Sequence, residues 1–322
     1  MRISNALAMA ALCFFGLCGT GIAKTDAEIS ERCVECHDEE DLTDMSRRAH
    51  AVRTDARAPN CVDCHGPSSS HVETPEDADE RPKPDHVFRE GGGLDPDQRS
   101  AVCLRCHDRD AQRTFWAGSA HPSADVACTT CHTVHANHDR VLVKAEQTDV
   151  CYSCHKEQRV EMSRPSHHPV PEGSMLCGDC HNVHGSTGPA LVTRDNTNDT
   201  CYTCHAEKRG PFVHEHEPVV EDCASCHNPH GSTIGALLVS RPPMLCQQCH
   251  TPHVAGEVGA LGGQDGVFTP AGPDQGPQIT AATGGKNVVT LWQGRSCVNC
   301  HTQVHGSNNP AATNPTPQFF LR

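Results

Sequence analysis

Residues 223–232 read Cys-Ala-Ser-Cys-His-Asn-Pro-His-Gly-Ser, and this stretch decides how the chain is built. It contains the pattern Cys-x-x-Cys-His, in which two cysteines lie about one helical turn apart and a histidine follows directly. The two thiols can bond the vinyl groups of one porphyrin as thioethers, and the histidine can then bind the iron as proximal axial ligand. Three residues on, His230 offers a second imidazole. The stretch therefore predicts a covalent c-type haem site.

One such motif is a moderate signal, because Cys-x-x-Cys also occurs in zinc and dithiol redox sites. Here the complete motif occurs ten times, which predicts ten covalently bound haem c groups. The cysteines predicted to form thioethers are Cys33, Cys36, Cys61, Cys64, Cys103, Cys106, Cys128, Cys131, Cys151, Cys154, Cys177, Cys180, Cys201, Cys204, Cys223, Cys226, Cys246, Cys249, Cys297 and Cys300. The predicted proximal ligands are His37, His65, His107, His132, His155, His181, His205, His227, His250 and His301.

The remaining two of the 22 cysteines, Cys13 and Cys18, lie in an apolar leader. Residues 1–23 have the features of a secretory signal peptide, namely Arg2, an apolar run and a small-residue cleavage site at residues 21–23. A membrane anchor is the weaker alternative because the run is shorter than the roughly 20 residues a spanning helix needs. Lipidation of Cys13 or Cys18 is a further alternative. The mature chain is thus expected to be exported and to hold neither a free thiol nor a disulfide.

Ten haems in about 300 residues leave too little protein around each macrocycle for an ordinary aliphatic core. Aromatic residues make up only 4% of the chain. We therefore expect a multihaem cytochrome c fold of mostly irregular loops, with short α-helices around a stacked haem chain and little or no β-structure. The formal charge of −14, which becomes −15 without Arg2, excludes nucleic acid as a partner.

Seven of the nine intervals between successive motifs lie between 22 and 28 residues, which indicates an internal repeat. The longer segments Cys151–Arg159 and Cys201–Arg209 resemble each other fifty residues apart. The repeating unit is therefore predicted to be a di-haem module of about fifty residues, used five times. A break near residues 163–166 would divide the mature chain into an N-terminal pentahaem half, 24–165, and a C-terminal one, 166–322.

Two insertions interrupt the repeat. Residues 66–101 are rich in Asp, Glu, Pro and Ser, and residues 254–296 are rich in Gly, Pro and Gln. Both have the composition of surface loops. Two interpretations stay open for each, an exposed connection or a loop that docks a partner.

Fourteen further histidines are available for the sixth coordination position, and ten of them recur in register. Six follow a motif closely and four precede an even-numbered motif by 7 to 11 residues. The predicted distal ligands are His50, His71, His121, His135, His168, His184, His216, His230, His253 and His305. The histidines outside this register are His86, His138, His167 and His214, of which His167 and His214 lie close enough to compete with His168 and His216.

Bis-histidine ligation of every haem would leave no open iron for a substrate, and it favours low potentials. A terminal reductase would need at least one vacant or lysine-ligated site, and Cys-x-x-Cys-Lys does not occur. The pattern therefore favours an electron-transfer protein over an enzyme, with no catalytic residues.

From the first motif to the C-terminus, the sequence resembles the MtrA/DmsE family of decahaem cytochromes, which serve in outer-membrane electron conduits. The resemblance is closest over 199–211, over the two Cys-His-Asn-x-His-Gly-Ser segments, and over 245–250 and 295–307. The family's distal-ligand positions fall on the ten histidines chosen by register, and it places a ligand at His168 rather than His167. The insertions after His71 and before Cys297 depart from the family pattern.

The resemblance implies a cytochrome of the periplasm and outer membrane, held inside a porin-like β-barrel. Its implied partners are that barrel, an extracellular multihaem cytochrome and periplasmic electron-transfer proteins. Its implied role is to conduct electrons across the outer membrane, in metal or sulfoxide reduction or in iron oxidation. The alternative is a soluble periplasmic electron carrier or store. The sequence leaves the direction of flow, the individual potentials and the pairing of distal histidines with haems open.

Overall fold

The computed structural model describes residues 26–37, 50, 58–136, 138–250, 297–299 and 301–308. Within these residues the chain forms short helices joined by irregular segments, with no strand or sheet beyond isolated bridges. The predicted fold class is therefore confirmed. The predicted signal peptide, 1–23, and the insertion 254–296 lie outside the described residues.

Most of the helices span only one or two turns. The α-helices are α1 (Asp26–Cys33), α2 (Cys61–His65), α3 (Ser69–Val72), α4 (Pro96–His107), α5 (Ala120–Ser123), α6 (Cys128–Cys131), α7 (Gln147–Tyr152), α8 (Lys156–Met162), α9 (Cys177–Cys180), α10 (Thr197–Tyr202) and α11 (Glu217–Glu221). Single 3₁₀ turns are Ala111–Arg113, Trp116–Gly118, Arg140–Leu142, Pro189–Leu191, Ala206–Lys208, Cys223–Ser225, Gly235–Leu237, Cys246–Gln248 and Cys297–Asn299.

The helices at the motifs alternate in where they begin, in step with the predicted di-haem repeat. In the odd-numbered motifs one, three, five and seven, a helix runs into the motif, as α10 runs through Cys201. In the even-numbered motifs the helical turn begins at the first cysteine, as α9 does at Cys177. The ninth motif is the exception, since its 3₁₀ turn begins at Cys246. In the first four pairs of motifs, this alternation gives one helix that enters the first motif and one turn that begins at the second.

Side chains from the entering helix hold the second motif of the same module in place. The Ser100 hydroxyl of α4 accepts a bond from the Cys128 amide at 3.3 Å. The Asn198 side chain of α10 accepts from the Cys223 amide at 2.7 Å and donates to the carbonyl of Val219 at 2.9 Å. In these two pairs, the third with the fourth motif and the seventh with the eighth, the two motifs are therefore tied directly to each other.

The chain divides into two compact units, 1–94 and 95–322. The predicted division into pentahaem halves at 165/166 is a different boundary and stays a prediction. In the first unit, part of the 66–101 insertion folds back on its own motif, since the Asp85 carboxylate accepts from the Ser68 amide at 2.8 Å. The carbonyls of Pro82 and His86 reach the rings of His71 and His65 at 2.7 and 2.9 Å. This part of the insertion therefore supports histidines predicted as ligands.

In the second unit, isolated backbone bridges tie together segments that lie far apart in sequence. Ser166 and Ser232 exchange two backbone hydrogen bonds of 3.1 and 2.7 Å. His214 and Ser307 exchange two more, both of 2.9 Å. Each bridge joins a segment before one motif to the His-Gly-Ser segment that follows a later motif.

Aliphatic packing is thin throughout the described residues. The apolar side chains that are buried there are Trp116, Ala127, Met162, Val170 and Val192. Even these few are scattered among α-helical and irregular segments. No described helix combines the length and apolar character needed to span a membrane.

The His-Gly-Ser segments require glycine for a steric reason. Gly185 has φ +117°, and a Cβ added there would lie 2.5 Å from the carbonyl oxygen of Phe115. A Cβ at Gly231 would likewise meet the Glu161 carbonyl, and one at Gly306 would meet the Phe212 ring. Only glycine lets the crossing segment approach this closely.

We predict that Gly185→Ala destabilises the haem-loaded protein by about 1–3 kcal/mol, because alanine is strained at this φ and collides with Phe115. Guanidinium unfolding followed by far-ultraviolet circular dichroism measures the change. The matched control is Gly118→Ala, where an added Cβ meets no atom within 4 Å. Equal midpoints for the two variants would contradict the steric argument.

Candidate haem sites

Seven histidines that follow Cys-x-x-Cys lie opposite a second histidine at almost constant spacing. In every pair the second member belongs to the set predicted as distal ligands. The ring centroids lie 6.0–6.3 Å apart in the pairs His37–His71, His132–His184, His155–His121, His181–His230, His205–His168, His227–His305 and His250–His216.

This spacing fits an iron between the two rings. A metal bound by an imidazole nitrogen on each side, at about 2 Å per bond, places the ring centroids roughly 6 Å apart. In each of the seven pairs, the motif that contributes one imidazole also supplies the adjacent cysteine pair. The residues present therefore fit a covalently attached haem with two axial histidines.

The facing histidine pairs join modules that are separate in the sequence. His184 follows the sixth motif but faces His132 of the fourth, and His230 follows the eighth but faces His181 of the sixth. His121 precedes the fourth motif and faces His155 of the fifth. Each described module of the second unit is therefore completed by segments that belong to others.

The facing pairs above do not include the predicted proximal histidines His65, His107 and His301, which the structure also describes. The remaining candidates His50 and His135 are described, whereas His253 and Cys300 lie outside the described residues. The distal partners of these three proximal histidines stay predictions from register.

The structure distinguishes His168 from its neighbour His167. The His168 ring faces His205, whereas His167 is held by the Arg164 carbonyl at 2.5 Å and by Glu172 at 2.9 Å. Glu172, with a further contribution from that carbonyl, raises the pKa of His167. His167 is thus held by a surface carboxylate, whereas His168 lies opposite a motif histidine.

The other histidines outside the register also have contacts of their own. His138 is bonded to Glu146 at 2.8 Å, and the backbone of His214 bridges to Ser307. His86 Nδ1 lies 2.9 Å from the Cys64 carbonyl, next to the second motif.

Three of the predicted distal rings are oriented by the same kind of hydrogen bond. Nδ1 of His121, His168 and His216 lies 2.8–2.9 Å from a backbone carbonyl. That carbonyl belongs to Val183, Pro229 or Val304, each of which directly precedes the histidine of a His-Gly-Ser segment that follows a motif. An imidazole that donates through Nδ1 presents its Nε2 lone pair, which is the form a metal requires.

Two proximal rings use a carbonyl nine residues downstream. His181 Nδ1 lies 2.9 Å from the Ala190 carbonyl, and His227 Nδ1 lies 2.7 Å from that of Ala236. Both alanines have positive φ, of 50° and 57°, which turns their carbonyls toward the rings. The sequence pattern did not predict a role for these two alanines, although an Ala-Leu pair begins nine residues after both His181 and His227.

Burial keeps several of these imidazoles neutral. Desolvation lowers the pKa of His181, His184 and His305. The lowered pKa favours the uncharged ring, and uncharged imidazole is the form that ligates a metal.

Motif cysteines lie next to one another in a regular sequence. Within modules, a hydrogen bond from the Cys103 thiol lowers the pKa of Cys128 to about 6, and one from Cys151 lowers that of Cys177 to about 7. Burial and the neighbouring Cys223 raise the pKa of Cys201 to about 11. The same adjacency links the first cysteines of the remaining modules, Cys33 with Cys61 and Cys246 with Cys297.

Second cysteines lie against the following module. Burial raises the pKa of Cys131, Cys180 and Cys226, and a nearby cysteine of the next motif adds to each shift. The neighbours from those next motifs are Cys154, Cys201 and Cys249. Motifs three to ten are therefore arranged as one unbroken succession of neighbouring sites.

Comparison with known proteins agrees with this geometry. The family described as "Doubled CXXCH motif" matches residues 121–160, 167–210 and 216–255. Multiheme cytochrome MtrA of Shewanella baltica (strain OS185) is 41% identical over 287 residues, which cover 88% of this chain and 79% of the relative. The chain belongs to the MtrA family of multihaem c-type cytochromes.

The similarity extends more weakly to another cytochrome. Cytochrome c-type protein NrfB of Haemophilus influenzae (strain ATCC 51907 / DSM 11121 / KW20 / Rd) is 26% identical over 151 residues, or 40% of this chain and 66% of that protein. The suspected family is thus confirmed, and with it covalent haem c binding through Cys-x-x-Cys-His and a role in electron transfer.

We predict that His168→Ala turns one haem high-spin, because it removes the ring that faces His205. His167→Ala is the matched control, one residue away, and should leave all haems low-spin because His167 is bonded to Glu172 instead. Electron paramagnetic resonance and the long-wavelength absorption band of high-spin ferric haem measure the outcome. A high-spin signal from His167→Ala alone would reverse the assignment.

Proposed function

We propose that this protein is an exported decahaem c-type cytochrome that conducts electrons across the outer membrane inside a porin-like barrel. Electrons pass between periplasmic electron-transfer proteins and an extracellular multihaem partner. The succession of neighbouring motifs in the second unit is the observation that carries the proposal, because it lines up consecutive redox sites without a gap between Cys103 and Cys297.

All ten motifs hold haem in this proposal, through the twenty cysteines and ten proximal histidines of the sequence pattern. When bound, each haem supplies reversible one-electron chemistry at iron. The seven facing histidine pairs supply both axial ligands at seven sites. His50, His135 and His253 are left for the sites of His65, His107 and His301.

Two imidazoles on each iron favour electron transfer over catalysis. Bis-histidine ligation leaves no coordination position for a substrate, and low-spin iron changes its geometry little when it gains one electron. The hydrogen bonds on Nδ1 hold the rings in place, so that they need not move during transfer. We therefore assign the protein no catalytic residues.

A separate barrel is proposed because a chain of ten haems is longer than a local redox task requires. Irregular backbone is tolerated at membrane depth only where protein or water shields it from lipid. A barrel of eight strands encloses only its own side chains, and 16–18 strands enclose an aqueous channel. A barrel that surrounds a cytochrome is thus expected at the large end of the known range, upwards of about 22 strands.

The test uses liposomes that hold a reducible dye inside and a reductant outside. With the haem-loaded cytochrome and its co-purified barrel partner inserted together, we expect the dye to be reduced across the membrane. With either protein omitted, the dye should stay oxidised, because the barrel alone carries no redox centre and the cytochrome alone is not shielded from lipid.

A soluble carrier would behave differently in the same experiment. If the cytochrome co-purifies with no outer-membrane protein and exchanges electrons only with partners on its own side, the conduit proposal fails. The haem-loaded cytochrome reduced in solution is the matched control, since it shows whether the sites themselves accept electrons.

A further inference from the structure

The fourth motif departs from the sixth and eighth in what lies behind its proximal histidine. At the sixth and eighth, Nδ1 of the proximal ring meets a backbone carbonyl. At the fourth, Nδ1 of His132 lies 2.6 Å from Oδ2 of Asp139 instead. A neutral dipole is replaced there by a carboxylate.

The replacement has a local cause in the repeat. A 3₁₀ turn begins eight residues after the proximal histidine in all three copies, at Arg140, Pro189 and Gly235. In the later copies the middle residue of this turn is an alanine with positive φ, whose carbonyl faces the ring.

In the fourth-motif copy the middle residue of the turn is Val141, which is β-branched and poorly suited to positive φ. Val141 keeps negative φ, and its carbonyl accepts from Nε2 of the Gln147 side chain at 3.0 Å. The Val141 carbonyl is therefore turned away from His132, and the Asp139 carboxylate occupies the position behind the ring instead.

Asp139 is placed to act strongly on the ring. Its side chain is 19% exposed and that of His132 is 32% exposed, so solvent screens the pair less than it would at an open surface. The second oxygen, Oδ1, accepts from the Thr133 amide at 3.3 Å, which fixes the carboxylate. The adjacent Arg140 is bonded to Glu146 at 3.0 Å rather than to Asp139.

We propose that Asp139 is a positioning residue that makes the haem of Cys128–His132 the lowest in potential among the fourth, sixth and eighth sites. A carboxylate that accepts from Nδ1 raises the basicity of the ligating imidazole, and a more basic ligand stabilises ferric over ferrous iron. This inference rests on the haem ligation proposed above. The step concerned is a one-electron reduction of iron, with no covalent bond formed or broken, and the electron comes from the neighbouring haem site.

At the sixth and eighth sites, the described carboxylate within ion-pair distance of an axial ring is that of Glu161, and it acts more weakly than Asp139. Glu161 Oε2 is 3.4 Å from Nδ1 of His230, beyond ordinary hydrogen-bond length for a charged pair. Its other oxygen accepts from Asn228 at 2.7 Å and faces the Arg164 guanidinium at 3.3 Å. The charge of Glu161 is thus shared with a cation, and the sixth site is expected to lie above the fourth.

The test is a redox titration of the haem-loaded full chain at an electrode, followed by absorbance and by electron paramagnetic resonance. In Asp139→Asn, about one tenth of the haem absorbance should titrate at higher potential, since one haem of ten is affected. A tenfold change in the ratio of reduced to oxidised haem at fixed potential corresponds to 59 mV for a one-electron couple, and we expect at least that shift. One low-spin ferric signal should change its g values.

Two variants complete the design. Asp139→Glu restores a carboxylate and should return the titration toward the original curve. Glu146→Gln removes the same charge from the same segment without touching His132, and should leave the curve unchanged.

The tuning proposal is overturned if Asp139→Asn titrates like the original protein while all haems stay low-spin. It is also overturned if that variant produces a high-spin haem that Asp139→Glu does not rescue, because Asp139 would then only hold the ligand. Failure of the ligation itself is distinguishable, since His184→Ala would then leave every haem low-spin.

Discussion

An imidazole can bind iron through Nε2 reliably only if its Nδ1 proton has a fixed acceptor, and this requirement organises the second unit. For His121, His168 and His216 the acceptor is a carbonyl that immediately precedes another predicted axial ring, as Val183 precedes His184. One short segment therefore orients the ligand of one site and supplies the ligand of another. Since aliphatic packing in the described residues is thin, these paired contacts are what tie the irregular segments to one another.

Much of this arrangement follows from local chemistry and was predictable. Cys-x-x-Cys-His fixes where each haem is attached, and the recurrence of His184, His230 and His305 after alternate motifs marks them as candidate ligands. Which ring each one faces was not predictable, because that depends on packing between modules. His184 follows the sixth motif in sequence and faces the fourth in space, and no pattern within a module contains that information.

The groups that accept hydrogen bonds from Nδ1 of the rings were harder to predict for a second reason. Its acceptors are mostly backbone carbonyls, which every residue possesses, so residue type reveals them only where conformation restricts the choice. Ala190 and Ala236 tolerate positive φ and Val141 does not, and this one difference moves the acceptor role to Asp139. The composition of the acidic insertion predicts a surface loop, and it carries no sign that the exposed Pro82 carbonyl contacts the His71 ring.

The segment 301–308 has a consequence for how the protein is made. Its His305 faces His227, and its Val304 carbonyl orients His216 across 88 residues of chain. The chain is synthesised from its N-terminus, so the ligand pairs proposed for His227 with His305 and for His250 with His216 can be completed only once this last described segment has been made. A chain that ended before residue 304 would therefore lack both the ring that faces His227 and the carbonyl that orients His216.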